Sequence, residues 1–322
     1  MLGLILLLQS LVVAVSGPVS SPEYLPLRVA EAEGHFRREG LAVTLKTTRS
    51  EIGAAEALAQ GQVDLAATSL EALLRFGLRP PAAAPRLVFA LTAAPPVALL
   101  GTMNAESPVR SIENLRTVRV GVSAPGVPEL AWLDGLLARA NLRVTQMDLV
   151  SLGTRGLAGA VERGDVQAGL VEEPYASRLL AEGRATLVAD LRSPEAVARA
   201  LGRPTVNAAV FVRGERPPRD ADLSAFARAL GAAQERIATA SPEALAAALP
   251  QSTVGAADEF ARRVEATRGI FLRDGRITPV QLRDTIELIR AHMPLSGNLR
   301  IPRPEQMLHL APLTPLARPR RD

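Results

Sequence analysis

At 322 residues, with 48% hydrophobic content and no cysteine, the chain is long enough for two domains of ordinary size, each with its own core and without disulfides. Its formal charge is only +4, and because Lys46 is the sole lysine, the sequence pI of 10.4 reports arginine chemistry rather than a basic face. The arginines are scattered apart from Arg318 to Arg321, and aromatic residues make up 3%, so a nucleic-acid-binding surface is not expected.

The chain opens on an apolar run, Leu2 to Val15, broken only by Gln9 and Ser10 among its later residues. Ala14-Val15-Ser16 has the small-x-small form of a secretory cleavage site. Leu11 to Val15, however, also reads as a buried strand that stops at Ser-x-Pro, and cleavage after Ser16 would delete it. Folded protein is therefore expected from Leu11 onward, with residues 1–10 a strand extension or the stump of a signal that begins upstream. The run is shorter than the ~20 residues needed to span a bilayer, and without cysteine a thiol-linked lipid anchor is not expected.

After this strand, Pro26 to Arg38 carries apolar residues at helical spacing and meets Gly40, which suits a helix stop. Leu41 to Leu45 alternates with period two, Ser50 to Gln60 is an alanine-rich helix, and Val63 to Ala67 is a third strand. The same sentence then returns. Val13-Ala14-Val15-Ser16-Gly17-Pro18 is echoed by Val120-Gly121-Val122-Ser123-Ala124-Pro125, Gly40 to Thr44 by Asn141 to Thr145, and Ala57 to Ala66 by Ala160 to Gly169, each about a hundred residues later. Two β-α-β-α-β units call for two parallel sheets with right-handed crossovers, and two matching lobes imply a cleft. Beyond Arg213 the pattern is helical: Asp220 to Thr239, Pro242 to Leu249, Val254 to Phe271 and Pro279 to His292, with Ser241-Pro242 and Thr278-Pro279 as start signals. The proline-studded residues after Pro294 are expected to be extended and poorly ordered.

Enzyme machinery is sparse. His35, His292 and His309 are far apart, and no His-x-x-x-His, Glu-x-x-His or Gly-x-Ser-x-Gly is present. Neither cofactor nor metal is expected, and the chain is read as a non-enzyme.

Several segments resemble the periplasmic substrate-binding proteins of ABC importers for sulfonates, taurine, nitrate and thiamine precursors. These are Tyr24-Leu25-Pro26-Leu27-Arg28-Val29-Ala30 through Gly34-His35-Phe36, Glu39-Gly40-Leu41-Ala42-Val43, Leu58 to Asp64, Ser111 to Leu115, Val120-Gly121-Val122 with Pro125-Gly126, Glu173-Pro174, and Gly275 to Pro279. The resemblance implies an α/β, two-lobed type II periplasmic-binding-protein fold, each lobe a parallel-rich sheet flanked by helices. Crossing strands at Leu91 to Leu100 and Asn207 to Arg213 would join the lobes. Domain I would comprise residues 11–95 and 211–300, domain II residues 96–210, and residues 301–322 a proline-rich tail. The implied role is a monomeric, extracytoplasmic binder that hands a small polar solute to a membrane permease and its ATPase, by hinge closure. The alternative is an enzyme of the same fold acting on a pyrimidine precursor or a small organic acid. The pyrimidine synthases of that superfamily use a cofactor-linked lysine and a cysteine-rich motif, whereas this chain has no cysteine and its one lysine lies mid-strand.

In open parallel sheets ligands sit beyond the carboxyl ends of the strands, close to helix N-termini that favour anions. The candidate binding residues are therefore Ser16, Pro18 and Ser20 in the first loop, Tyr24 behind it, Thr68 and Ser69 after the third strand, Ser123, Pro125 and Gly126 in the second-repeat turn, Thr154, Glu173, and Asn207 on the return crossing. Thr68 with Glu71 also fits a capping box, which would occupy its hydroxyl. Trp132, alone on an Ala/Leu helix, reads as packing. An inward-facing Glu173 would favour a ligand with a cationic or N–H-rich part, Arg28 and Arg155 would favour an anion, and the residues leave that choice open. A bulky residue at Gly126 is expected to weaken binding.

Overall fold

The computed structural model describes residues 9–78, 84–106, 108–124, 129–292 and 301–313. Ten strands are found among them: β1 (Gln9–Val15), β2 (Leu41–Thr47), β3 (Leu65–Ser69), β4 (Arg86–Ala90), β5 (Val97–Thr102), β6 (Arg119–Val122), β7 (Asp148–Ser151), β8 (Ala168–Glu172), β9 (Ala185–Asp190) and β10 (Ala208–Val212). They form two five-stranded sheets, ordered β2-β1-β3-β10-β4 and β7-β6-β8-β5-β9. The sequence repeat maps onto this order strand for strand. β1, β2 and β3 run parallel, as do β6, β7 and β8, and in each sheet the fourth strand is antiparallel to the third.

Alternation along the strands explains why both faces of each sheet are covered. Val13, Val15, Leu65, Ala67 and Val210 enter one core, while Ala14, Ala66, Ala209 and Phe211 enter another on the opposite face. Val97, Leu99 and Leu170 are likewise separated from Ala98, Leu100 and Val171 in the second sheet. The helix Asp220–Thr239 closes one face of the first sheet, with Phe226 stacked on Phe36 at 5.1 Å between ring centroids. The helix Pro279–His292 closes the other face through Leu282, Ile286 and Ile289. Its far side reaches the second lobe, where Leu288 joins that core and His292 Nδ1 lies 2.7 Å from Asp134 Oδ2 on the helix Glu129–Arg139.

The chain passes between the sheets at residues 91–96 and again at residues 202–207, and the two passages are bonded to each other. Asn207 donates its amide to Thr92 O at 2.9 Å, Thr92 donates to Ala208 O at 3.1 Å, and Thr205 Oγ1 donates to Ala93 O at 2.7 Å. The Thr92 hydroxyl accepts from the Ala208 amide at 3.1 Å. Thr285 Oγ1 and Gln281 Nε2, both on the helix Pro279–His292, hold Val206 N and Thr205 O.

Several local expectations are corrected. The helix expected over Pro26 to Arg38 is two, Leu25–Ala32 and His35–Arg38, because Gly34 takes φ +73°, a left-handed conformation that ends a helix. β1 begins at Gln9 rather than Leu11, pairing Ser10 with Ala42. β3 begins two residues later than expected, at Leu65, and Asp64 ahead of it accepts the Val12 amide on its side chain at 2.8 Å. The expected Val254 to Phe271 helix spans Ala257–Thr267. The return crossing lies earlier than Asn207 to Arg213. All of β10 pairs within the first sheet, so residues 208–210 sit with the first lobe, not with 96–210. Tail residues 301–313 are packed rather than loose: Met307 is fully buried and His309 donates its amide to Leu87 O at 2.9 Å.

Thr92→Val keeps the shape but removes the hydroxyl that serves Ala208. It should lower unfolding free energy by about 1–3 kcal/mol in urea titration, with the helical content retained.

Candidate functional site

Between the two sheets lies a cavity of about 570 Å³, within the range of small-molecule sites. Its walls come almost wholly from segments that follow the parallel strands at their carboxyl ends. Gly17 to Glu23 follow β1, Arg49 to Ile52 follow β2, and Glu71, Ala72 and Arg75 follow β3. Ser123 and Ala124 follow β6, Thr154 and Arg155 follow β7, and Glu172 to Tyr175 end and follow β8. Pro96 on the outgoing passage, and Glu259 and Arg263 on the helix Ala257–Thr267, complete the wall. Gly17 is demanded by a close approach, since a Cβ there would lie 2.3 Å from Thr48 O.

The charge pattern divides the wall. Its arginines are mostly engaged by the protein: Arg75 Nη1 lies 2.8 Å from Glu71, Arg155 pairs with Glu259 at 3.6 Å and donates to Tyr175, and Arg263 donates to the carbonyls of Thr253 and Val254. Arg49 is exposed. Three carboxylates differ, for Glu23, Glu51 and Glu172 make no ion pair among the described residues. Glu23 is 6% exposed, and its one side-chain hydrogen bond from another residue is a 3.4 Å contact from Ser21 Oγ. Glu51 Oε1 accepts from Tyr24 OH at 2.7 Å, while its buried Oε2 has no protein partner. Glu172 Oε1 accepts from Thr154 Oγ1 at 3.2 Å.

Burial, followed by the charge of Glu51, pushes the Glu23 carboxyl up to about 8. Burial also raises Glu51 and Glu172, and it lifts the Tyr24 phenol well above its ordinary value. These carboxyls feel one another across the cleft, Glu172 from the second lobe repelling Glu23 and Glu51 from the first. Glu51 also stands in the first turn of the helix Glu51–Ala59, and Glu172 is bonded to the first residue of the helix Thr154–Arg163. The two helix N-termini aimed at the cleft thus already face protein carboxylates.

Of the residues singled out in the sequence, Pro18, Ser20, Ser123, Thr154 and Glu173 line the cavity. Pro125 and Gly126 lie outside the described residues. Five others are held in the scaffold instead. Ser16 is fully buried and donates to Ala67 O at 3.0 Å, because the strand-end hydroxyl bonds its neighbour strand. Tyr24 is 2% exposed and donates to Glu51 Oε1 at 2.7 Å. Thr68 Oγ1 donates to Glu51 O at 2.9 Å, which fixes the start of that helix. Ser69 is the cap, accepting from Ala72 N at 3.1 Å, so the expected Thr68–Glu71 capping box is not formed. Asn207 is buried at the crossing, 3.5 Å from Thr92 Oγ1.

Glu173 lines the wall but is occupied, accepting from Ser177 N and Oγ and pairing with Arg192 at 3.0 Å. Its neighbour Glu172 is the carboxylate turned toward the other lobe. Arg28 donates to Thr47 Oγ1 at 2.6 Å, is not part of the wall, and has its pKa lowered by burial. Trp132 is core. Sequence reading missed Glu23, Glu51 and Glu172. The repeat itself holds the signal for two of them: Glu51 occupies the place of Thr154 at a helix start, and Glu172 the place of Ser69 at a strand end.

The sequence profile described as NMT1/THI5 like matches residues 21–201, more than half of the chain. The chain belongs to the NMT1/THI5-like family. No curated protein matches it. Among solved structures, a Bordetella bronchiseptica RB50 protein superposes with a TM-score of 0.73 at 20% identity, covering 94% of this chain and 95% of that one. The alkanesulfonate-binding protein SsuA of Xanthomonas axonopodis pv. citri, solved bound to MOPS, gives 0.66 at 16% identity over 94% and 98%. The periplasmic aliphatic sulphonate binding protein SsuA of Escherichia coli gives 0.63 at 17% over 81% and 84%. At these identities the likeness is one of fold. This NMT1/THI5-like chain has the two-lobed periplasmic-binding-protein fold, with the cavity just described between its sheets.

A carboxyl raised in the folded state binds more protons than in the unfolded chain, so it lowers stability as pH rises from about 4.5 to about 8. Glu23→Gln removes that loss. Its melting temperature should exceed the parent's by about 3 °C or more at pH 8.5 and match it near pH 4.5, as read by calorimetry.

Proposed function

We propose that this protein is the extracytoplasmic solute-binding component of an ABC importer. It captures a small polar molecule between its lobes, closes about the paired crossings, and presents the load to a membrane permease driven by an ATPase. The observation that carries the reading is the cavity at the carboxyl ends of both parallel strand sets, walled by both lobes and lying beside two narrow passages. Loops at that end of each sheet can meet a ligand from both sides, and two hydrogen-bonded passages form a short bridge about which the lobes can close.

Membership of the NMT1/THI5-like family and the shared fold with proteins described as sulfonate binders support the same role. Sulfonates, nitrate and thiamine-precursor-like heterocycles define the range of solutes to test. The reading needs no bond chemistry, and the protein works as a monomer. Among the described residues, no helix is long and apolar enough to cross a membrane and no cluster of acidic or histidine side chains has the arrangement of a metal site.

A thermal-shift screen of the purified chain against sulfonates, nitrate, thiamine precursors, amino acids, amines and amidines tests it. A true ligand at a hundred times its dissociation constant should add about 2.7 kcal/mol of stability. A saturable shift that Thr154→Trp abolishes, by filling the cavity, is the expected result. Turnover of any compound, or saturable binding that Thr154→Trp leaves intact, would overturn the reading.

A further inference from the structure

We propose that the cleft takes an organic cation bearing N–H donors, an amidinium, guanidinium or primary ammonium compound, held between Glu23 and Glu51 of the first lobe and Glu172 of the second. This deepens the solute-binding reading and rests on it.

The argument begins with what each charged group in the wall is already doing. An anion needs unoccupied donors, and three of the four wall arginines are engaged, Arg75 with Glu71, Arg155 with Glu259 and Arg263 with two carbonyls of its own lobe, which leaves the exposed Arg49. Carboxyls already stand at the helix starts where an anion would otherwise dock, Glu51 in the first turn of the helix Glu51–Ala59 and Glu172 bonded to Thr154. A cation needs acceptors, and here they are in surplus. Glu51 Oε2 is buried with no hydrogen bond, and Glu23, more than nine-tenths buried, has a single 3.4 Å contact from Ser21. Both side chains line the cavity, and so does Glu172 from the opposite lobe. An unpartnered buried carboxylate oxygen is costly in a folded protein, and a planar N–H pair supplies two parallel hydrogen bonds to such a group.

Closure gives the third element of the argument. Two of the carboxyls belong to the first lobe and one to the second, so a cation between them meets acceptors from both sides. With it in place, closure is attractive. Glu23 shares the wall with Glu51 on the helix Glu51–Ala59 and Glu172 at the end of β8, both of which raise it, and with Arg49, Glu71, Arg75, Arg155, Glu173, Glu259 and Arg263. In that surrounding the Glu23 carboxyl holds its proton at neutral pH, since it titrates at about 8. An entering cation favours the carboxylate, so the O–H bond breaks, the electron pair stays on oxygen, and the proton leaves to water.

The test is calorimetric titration with benzamidine and with agmatine, whose guanidinium and amidinium charges do not change over the range used, at pH 6.5 and pH 8.5. Proton release into weakly buffered salt is followed with an indicator. Ethanesulfonate and nitrate form the anion arm. The expected result is saturable binding of at least one of the two cations, about 20-fold tighter at pH 8.5 than at pH 6.5, given a carboxyl that titrates at about 8. Close to one proton should be released per ligand at neutral pH. Glu172→Gln should weaken the cation about 10-fold or more, and Glu23→Gln should abolish the proton release while the far-ultraviolet spectrum is unchanged in both. Binding of an anion in place of the cations, cation binding with no pH dependence, or binding of neither cation overturns the proposal. A saturable anionic or neutral solute in the wider thermal-shift screen would then leave the solute-binding reading standing, whereas a screen with no binder of any class would count against both.

Discussion

The two passages between the sheets are bonded to each other, and this pairing governs what the rest of the molecule can do. Asn207 donates its amide to Thr92 O, Thr92 donates its own to Ala208 O, and the Thr92 hydroxyl adds another bond at its centre by accepting from the Ala208 amide. Because the outgoing passage runs into β5 and the return into β10, each passage feeds an antiparallel strand that sits between a third and an edge strand. The passages are therefore anchored at both ends in finished sheets. A short bonded bridge thus joins two sheets whose faces carry four apolar cores. The helix Pro279–His292 steadies one side of that bridge, bonding Val206 and Thr205 and reaching Asp134 on the second lobe.

On the cavity side the same geometry imposes an electrostatic constraint. Parallel strands and their crossover helices aim helix N-termini at the space between the lobes, which ordinarily suits an anion. Here Glu51 and Glu172 stand at those ends, and Glu23 lies buried beside them without an ion pair among the described residues. Burial raises all three carboxyls. The fold is shared with proteins described as sulfonate binders, and the lining of this cleft carries glutamates and arginines together. Fold and ligand are separable properties, since a few side chains at strand ends decide specificity while the cores decide architecture.

Much of the fold was legible because hydrophobic periodicity and the repeat report directly on buried strands. Val13 to Pro18 and Val120 to Pro125 announced two equivalent first strands and their loops. The helix Asp220–Thr239 was legible from its long apolar stripe, and Pro279–His292 from its capped start. The break at Gly34 was not, since a glycine at helical spacing adopts either hand until tertiary contacts choose. The site was read less well. Hydroxyls at strand ends were favoured as ligand contacts, yet Ser16, Thr68 and Ser69 spend their hydrogen bonds on neighbouring strands and helix starts. Of the adjacent pair after β8, Glu173 is consumed by Ser177 and Arg192 while Glu172 faces the cavity, and adjacency in sequence gives no way to tell which. Glu23 was missed because nothing local marks it. Its burial comes from the meeting of segments distant in the chain.

The most direct test of the account is small-angle X-ray scattering of the purified chain with and without a saturating solute taken from the binding screen. Hinge closure about the bonded passages predicts a smaller radius of gyration on saturation, with the melting temperature rising in step. Saturable binding that leaves the radius of gyration unchanged would contradict closure of the two lobes around the ligand.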